Sequence, residues 1–189
     1  MLSFMKPTLL ISVLFVFCFG CNPQVEQKIE QKNEFLEVRI NRWTALEGGE
    51  IFVLRKINND WSAMLLGDGD RFSCLYNKSV QPKSNWEDFW KQLQSNGLLE
   101  ISDGRRLSNS LDGRGYYVEI IYQNNIKRYS FKDPEGLKTK ESEQIQKIGD
   151  LISKEFETPM FSGKYGRGEI GDYLIEQCKN RPLNQDSIH

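Results

Sequence analysis

The only histidine is His189, the last residue of the chain. Imidazole is the usual general base and a frequent metal ligand. A hydrolase built on serine and histidine would have to recruit a terminal side chain. Gly-x-Ser-x-Gly is absent, and after residue 20 so is Ser-x-x-Lys. Gly166-Arg167-Gly168-Glu169-Ile170-Gly171 has the letters of a dinucleotide fingerprint. That chemistry needs a following helix and a second parallel strand carrying an acid about 20 residues on. Only 18 residues follow Gly171, so we read a glycine-rich loop leading into a terminal helix at Tyr173 to Lys179. No Gly-Lys-Ser or Gly-Lys-Thr supplies a phosphate loop. Asp68-Gly69-Asp70 resembles the start of a calcium loop, but the glycine and the bidentate glutamate that such a loop requires are missing. It reads as a solvated turn. We therefore expect no catalytic set, metal site or cofactor.

Three other groups could bind. Asp103-Gly104-Arg105 and Asp112-Gly113-Arg114 recur nine residues apart. As turns they could set Arg105, Arg106 and Arg114 on one rim, suited to a carboxylate or phosphate. Asp112 and Glu119 are a candidate carboxylate pair for an envelope hydrolase, provided a cleft brings them together. Of the four tryptophans, Trp86 and Trp90 fall on an apolar helix face. Trp43, ending a strand, and Trp61, following a hairpin turn, are the better surface platforms for a protein, peptide or glycan.

The chain has 189 residues, 25 Lys plus Arg and 26 Asp plus Glu. A near-neutral chain lacks the basic excess of a nucleic-acid binder. Its 12% aromatic and 39% hydrophobic content is that of a globular domain.

The first twenty residues are of another kind. A short basic start, Met1 to Lys6, precedes the eleven-residue apolar run Leu9 to Phe19. A bilayer-spanning helix needs roughly 20 such residues, so the run suits the core of a signal peptide. Gly20-Cys21 follows, and then a polar stretch. This junction resembles the lipobox of bacterial lipoproteins, with Cys18 and Phe19 at positions where that class prefers Leu and Ala or Ser. The resemblance implies cleavage between Gly20 and Cys21, acylation of Cys21 and attachment to a membrane. Asn22 in place of Asp implies an outer-membrane destination in the cell envelope. An ordinary secretory signal or an uncleaved anchor remain the alternatives, and each also places the globular part outside the cytoplasm.

Residues 21–33 contain only Val25 and Ile29 as aliphatic side chains and read as a tether. Cys74 and Cys178 then remain. They are either a disulfide, permitted outside the cytoplasm, or two buried thiols. After residue 20 no Cys-x-x-Cys occurs.

The elements that must position these residues follow from periodicity. Leu36, Val38 and Ile40 alternate with Glu37 and Arg39, a half-buried strand over Glu34 to Trp43. Glu50 to Ile57 and Trp61 to Leu66 form a hairpin about Asn58-Asn59, with a further strand at Arg71 to Tyr76. Ser84 and Glu87 have capping-box spacing before a helix with Trp86, Phe89, Trp90 and Leu93 on one face. Gly97 sits at its C-terminal cap, and Leu98 to Ile101 reads as a short strand. Gly115 to Tyr122 and Ile126 to Phe131 form a second hairpin about Asn124-Asn125. Lys140 to Phe156 is a second helix, with Ile145, Ile148, Leu151, Ile152 and Phe156 in register. The order predicts an α+β domain over 34–157: a mainly antiparallel sheet of about five to seven strands with two main helices on one face. Residues 158–189 add the glycine loop and C-terminal helix.

The expectation is a lipid-anchored envelope protein that binds or inhibits a partner rather than transforming it. An envelope hydrolase and a structural envelope subunit are the rival readings.

Overall fold

In the computed structural model, residues 34–44, 48–69, 74–102, 113–123, 125–162 and 169–179 are described. All lie within one compact unit, Asn33–His189. Cys21 and Gly20, Arg105 and Arg106, and Asp112 fall outside the described residues.

Six strands form one antiparallel sheet: β1 (Phe35–Thr44), β2 (Gly48–Ile57), β3 (Asp60–Gly69), β4 (Cys74–Val80), β5 (Arg114–Tyr122) and β6 (Asn125–Lys132). Their spatial order is β4-β3-β2-β1-β5-β6. The most strongly alternating strand, β1, is therefore central, bonded to β2 on one side and β5 on the other. Two tight hairpins flank it. Ile57 pairs with Asp60 and Asn58 has φ +57°, as the asparagine pattern predicts. In the second hairpin Tyr122 pairs with Asn125, so the turn falls one residue earlier than expected and the positive φ belongs to Gln123.

Helices α1 (Trp86–Ser95), α2 (Lys140–Phe156) and α3 (Glu169–Lys179) supply one side of the core. Strand residues Leu36, Val38, Ile40, Phe52, Leu54, Leu65 and Val118 meet Phe89, Leu93, Ile145, Ile148, Ile152, Ile170 and Leu174 there. Phe52, Phe89 and Phe156 form a tilted and edge-on aromatic cluster at its centre, with ring centroids 4.8–5.9 Å apart.

Local signals explain the helix ends. The N-cap of α1 is Asn85, one residue after the expected Ser84, and its Oδ1 accepts from the Asp88 backbone N–H at 2.9 Å. At the other end Gly97 has φ +87°. Leu98 N–H donates to Leu93 O and Gly97 N–H to Gln94 O, a Schellman closure. That closure continues as turns through Glu100, so Leu98 to Ile101 is not a strand. The N-terminus of α2 carries a reciprocal box between Thr139 and Ser142. Gly149 costs this helix some propensity, but it lets α2 approach the Tyr116 hydroxyl, which donates to Phe161 O at 2.8 Å.

Two further expectations are corrected. Asp68 and Gly69 belong to β3, paired with Leu75 and Cys74, because the ladder continues past Leu66. The fourth strand is correspondingly displaced to Cys74–Val80. The terminal helix begins at Glu169, inside the glycine pattern, and carries Gly171 within it.

Candidate functional site

Strand alternation sends Leu36, Val38, Ile40 and Arg42 of β1 to the helix-covered face, and Glu37, Arg39, Asn41 and Trp43 to the other. Among the described residues no helix covers that second face. Register fixes its rows. Trp43 lies between Gly49 and Gly115. Asn41 lies between Ile51 and Tyr117, and Arg39 between Val53 and Glu119.

Trp43 owes its pose to Gly115 beside it. A Cβ at Gly115 would meet indole atoms Cε2, Cζ2 and Nε1 at 2.4–2.6 Å. Three ring atoms at nearly equal distance mean that the ring lies face-down over Gly115. Any side chain there would push it up. Tyr117 is exposed one row further along, with Ile51 and Leu66 half-buried beside it.

Next to this apolar strip runs a chain of ion pairs across four strands. Arg55 Nε donates to Glu37 Oε2, and Arg39 Nε to Glu37 Oε1 at 2.5 Å. Arg39 Nη1 donates to Glu119 Oε1 at 3.1 Å, and Arg128 Nε to Glu119 Oε2 at 2.6 Å. The two carboxylates are buried beneath three partly exposed guanidinium groups. Each glutamate uses both oxygens, so the arginine planes are held in place and form the outer layer. Hydrogen bonding and charge from Glu119 hold the Arg128 guanidinium firmly protonated.

The helix-covered face holds a second polar row: Tyr76, Gly67, Glu50, Arg42 and Tyr116 on successive strands. Gly67 leaves β3 bare, and the Tyr76 ring crosses it to donate to Glu50 Oε1. Thr158 donates to Glu50 Oε2, and the Tyr173 hydroxyl to Oε1 at 3.1 Å. Burial pushes the Glu50 carboxyl above the usual range, against the opposing effect of these three donors and of Lys78. The Tyr76 and Tyr173 hydroxyls are pushed upward too, by burial and then by the Glu50 charge.

Arg42 faces Glu50 across the register yet turns away. Its guanidinium lies 4.4 Å from the Tyr116 ring centre, and Nη2 donates to Glu135 Oε1 at 2.5 Å. Among the described residues, Arg42 Nε and Nη1 have no acceptor, nor has Asp133 Oδ2 a donor. Asp133 Oδ1 accepts from the Arg114 backbone N–H at 2.8 Å. Arg42, fully buried, and Glu50 are sealed inside, so they act on stability and not at a surface.

Of the sequence-predicted residues, Trp43 lies on the uncovered face. Trp61 does not serve as an open platform. Its ring stacks on Trp86 at 6.4 Å and tilts against Trp90 at 5.7 Å, and Nε1 donates to Glu87 at 2.9 Å. Three indoles and the Lys56 ammonium bury one another at the sheet end. Arg114 opens β5 on the helix-covered face, opposite Thr44, which separates it from the arginine layer. Glu119 belongs to the ion-pair chain. Cys178 is disulfide-bonded. Cys74 is the first residue of β4, and its side chain lies outside what is described; α3 packs against β3 and β4. Among the described residues no three His, Cys, Asp or Glu side chains gather as a metal site. Sequence reasoning missed Arg39, Arg55 and Arg128 as a group. The signal available was the Glu37-x-Arg39 alternation on a strand; the link from Arg39 to Glu119, 80 residues away, is not written locally.

Comparison with protein-family models, characterised proteins and solved structures finds no significant match.

Proposed function

We propose that this chain is an exported, lipid-anchored envelope protein whose uncovered sheet face binds the acidic surface of a partner protein. The observation that carries the reading is that face: an indole laid over glycine and an exposed tyrosine beside a fixed layer of three arginines. Trp, Tyr and Arg are the residue types that dominate binding energy at protein interfaces. Six strands at about 4.8 Å spacing and roughly 30 Å of length make a face of about 700 Å², close to the ~800 Å² each partner contributes to a standard interface. The outermost charges of the ion-pair chain are cationic, which favours an acidic partner and opposes pairing with a second copy through the same face. Residues 1–21 support the export and anchoring part, through their likeness to a lipoprotein leader.

Two experiments test this. Replacing Cys21 by serine should abolish acyl labelling and release the protein from the membrane fraction; unchanged labelling and retention refute lipid attachment there. A photo-crosslinker at Asn41 should capture one stoichiometric partner, lost in Trp43→Ala and in Arg39→Glu. Capture that is indifferent to both substitutions refutes the assignment of the face.

A further inference from the structure

Six large hydrophobic side chains stand exposed among the described residues, and four of them gather at one end of the sheet. They are Ile57 (49%), Leu99 (37%), Tyr122 (46%) and Ile126 (53%). Ile57 ends β2 at the first hairpin turn, while Tyr122 and Ile126 flank the second. Both turns are tied to the start of β1. Asn58 N–H donates to Glu34 O at 2.8 Å, and Gln123 N–H to Phe35 O at 3.4 Å. Leu99 joins them through its carbonyl, which accepts from Lys127 Nζ. Between these tips and α1 opens a cleft of about 350 Å³, lined by Phe35, Leu36, Trp90, Leu99 and Tyr122, with Lys56 at its side. This end is also where the chain enters the domain. Twelve residues lie between Cys21 and Glu34, and a coil of that length would span roughly 20 Å.

We propose that this end of the domain lies against the lipid bilayer, with Ile57, Tyr122 and Ile126 entering its interfacial layer. The proposal rests on the reading of Cys21 as the acylated residue, which supplies the proximity; the apolar tips supply the contact. Isolated exposed side chains of this kind need no explanation, but four around one point of attachment form a patch. Two tight hairpins present aliphatic side chains at the rim, with an aromatic ring between them. That is the amphipathic composition the interface favours. Charge does not drive the contact: Glu34, Asp60 and Glu100 outnumber Lys56 and Lys127 by one at this end, so no cationic excess draws it to lipid. The tether makes weak affinity sufficient, because a surface held within about 20 Å meets the bilayer at high effective concentration. Ile57 and Ile126 stand at the end of the uncovered face remote from Trp43, so an end-on contact leaves the Trp43 end of that face free for its partner.

The test removes the acyl chain and asks whether the surface alone finds lipid. The mature chain from residue 21, carrying Cys21→Ser, retains the whole compact unit. It should sediment with phosphatidylcholine vesicles to the same extent at low and high salt. Ile57→Asp with Ile126→Asp should lower partition by about tenfold or more. Leu75→Asp, at a still more exposed leucine at the opposite end, should leave it unchanged. Without any substitution, hydrogen exchange in the presence of vesicles should slow at Asn58 and Asn59 and at Gln123 and Asn125. Absence of vesicle binding, equal loss with Leu75→Asp, or unchanged exchange at both turns overturns the proposal. Intact mass of the membrane-extracted protein reports separately on Cys21, so failure of anchoring is distinguishable from failure of the surface.

Discussion

Replacing Glu50 by glutamine probes the buried row most directly. The carboxyl is fully buried and accepts from Tyr76, Thr158 and Tyr173, and burial raises its pKa above the reference of 4.5. The sign follows from linkage. The folded state holds the proton more tightly than the unfolded chain does. Its contribution to stability is therefore complete below about pH 4.5, and it declines as pH rises towards the folded pKa. One proton differing between the two states gives a slope of about 1.4 kcal/mol per pH unit in that window. Glutamine keeps the shape and an acceptor oxygen but does not titrate. Chemical denaturation from pH 4 to pH 8 should show the wild type losing stability relative to Glu50→Gln as pH rises. The difference curve should level off above the folded pKa. Charges near the site, Lys78 and the opposed Arg42, are common to both proteins and cancel in that difference. Parallel curves across the whole range would refute the claim that burial raises the Glu50 pKa in the folded state. Glu50→Ala should be more damaging, by roughly 3 kcal/mol or more, since it strands the buried Tyr76 and Thr158 hydroxyls and opens a cavity.

Other outcomes follow from the same geometry. Gly115→Val should lift the Trp43 indole off the sheet, seen as a change in tryptophan near-UV circular dichroism while far-UV signal persists. Arg39→Ala removes the arginine shared by Glu37 and Glu119; it should destabilise the domain by about 1 kcal/mol, with the difference shrinking in high salt because the guanidinium is partly exposed. Glu157 closes α2 at φ +55°, so Glu157→Gly should raise the melting temperature by about 2 °C despite losing the exposed contact with Lys83. Non-reducing peptide mapping should join Cys178 to Cys74, and reduction should lower stability by up to about 4.7 kcal/mol for a loop of about 100 residues.

The sequence was enough, by itself, to determine the local elements. Period-two alternation at Leu36, Val38 and Ile40 is a property of adjacent residues, and so is the helical spacing from Ile145 to Phe156. Both elements stand where that spacing puts them. The asparagine turn at Asn58 and the glycine closure at Gly97 were legible because each depends on one residue's tolerance for positive φ. Strand ends were less legible. The ladder carries β3 through Asp68 and Gly69, because hydrogen bonds to β4 decide where a strand stops and turn-forming letters do not.

The sites needed the tertiary structure. Glu37 and Arg55 lie on consecutive strands, as do Glu119 and Arg128, but the Arg39–Glu119 link that joins them spans 80 residues, and only the order β2-β1-β5-β6 makes them one chain of ion pairs. Trp43 and Trp61 look equivalent as letters. One lies over a glycine on the uncovered face, and the other is packed between Trp86 and Trp90, because strand direction and helix placement assign them to different surroundings. The exposed tips at Ile57, Tyr122 and Ile126 read as ordinary strand residues until two hairpins bring them to the same end of the sheet. Local periodicity is written between neighbours, whereas juxtaposition depends on which strands pair, and that is settled by burying one face of the whole sheet at once.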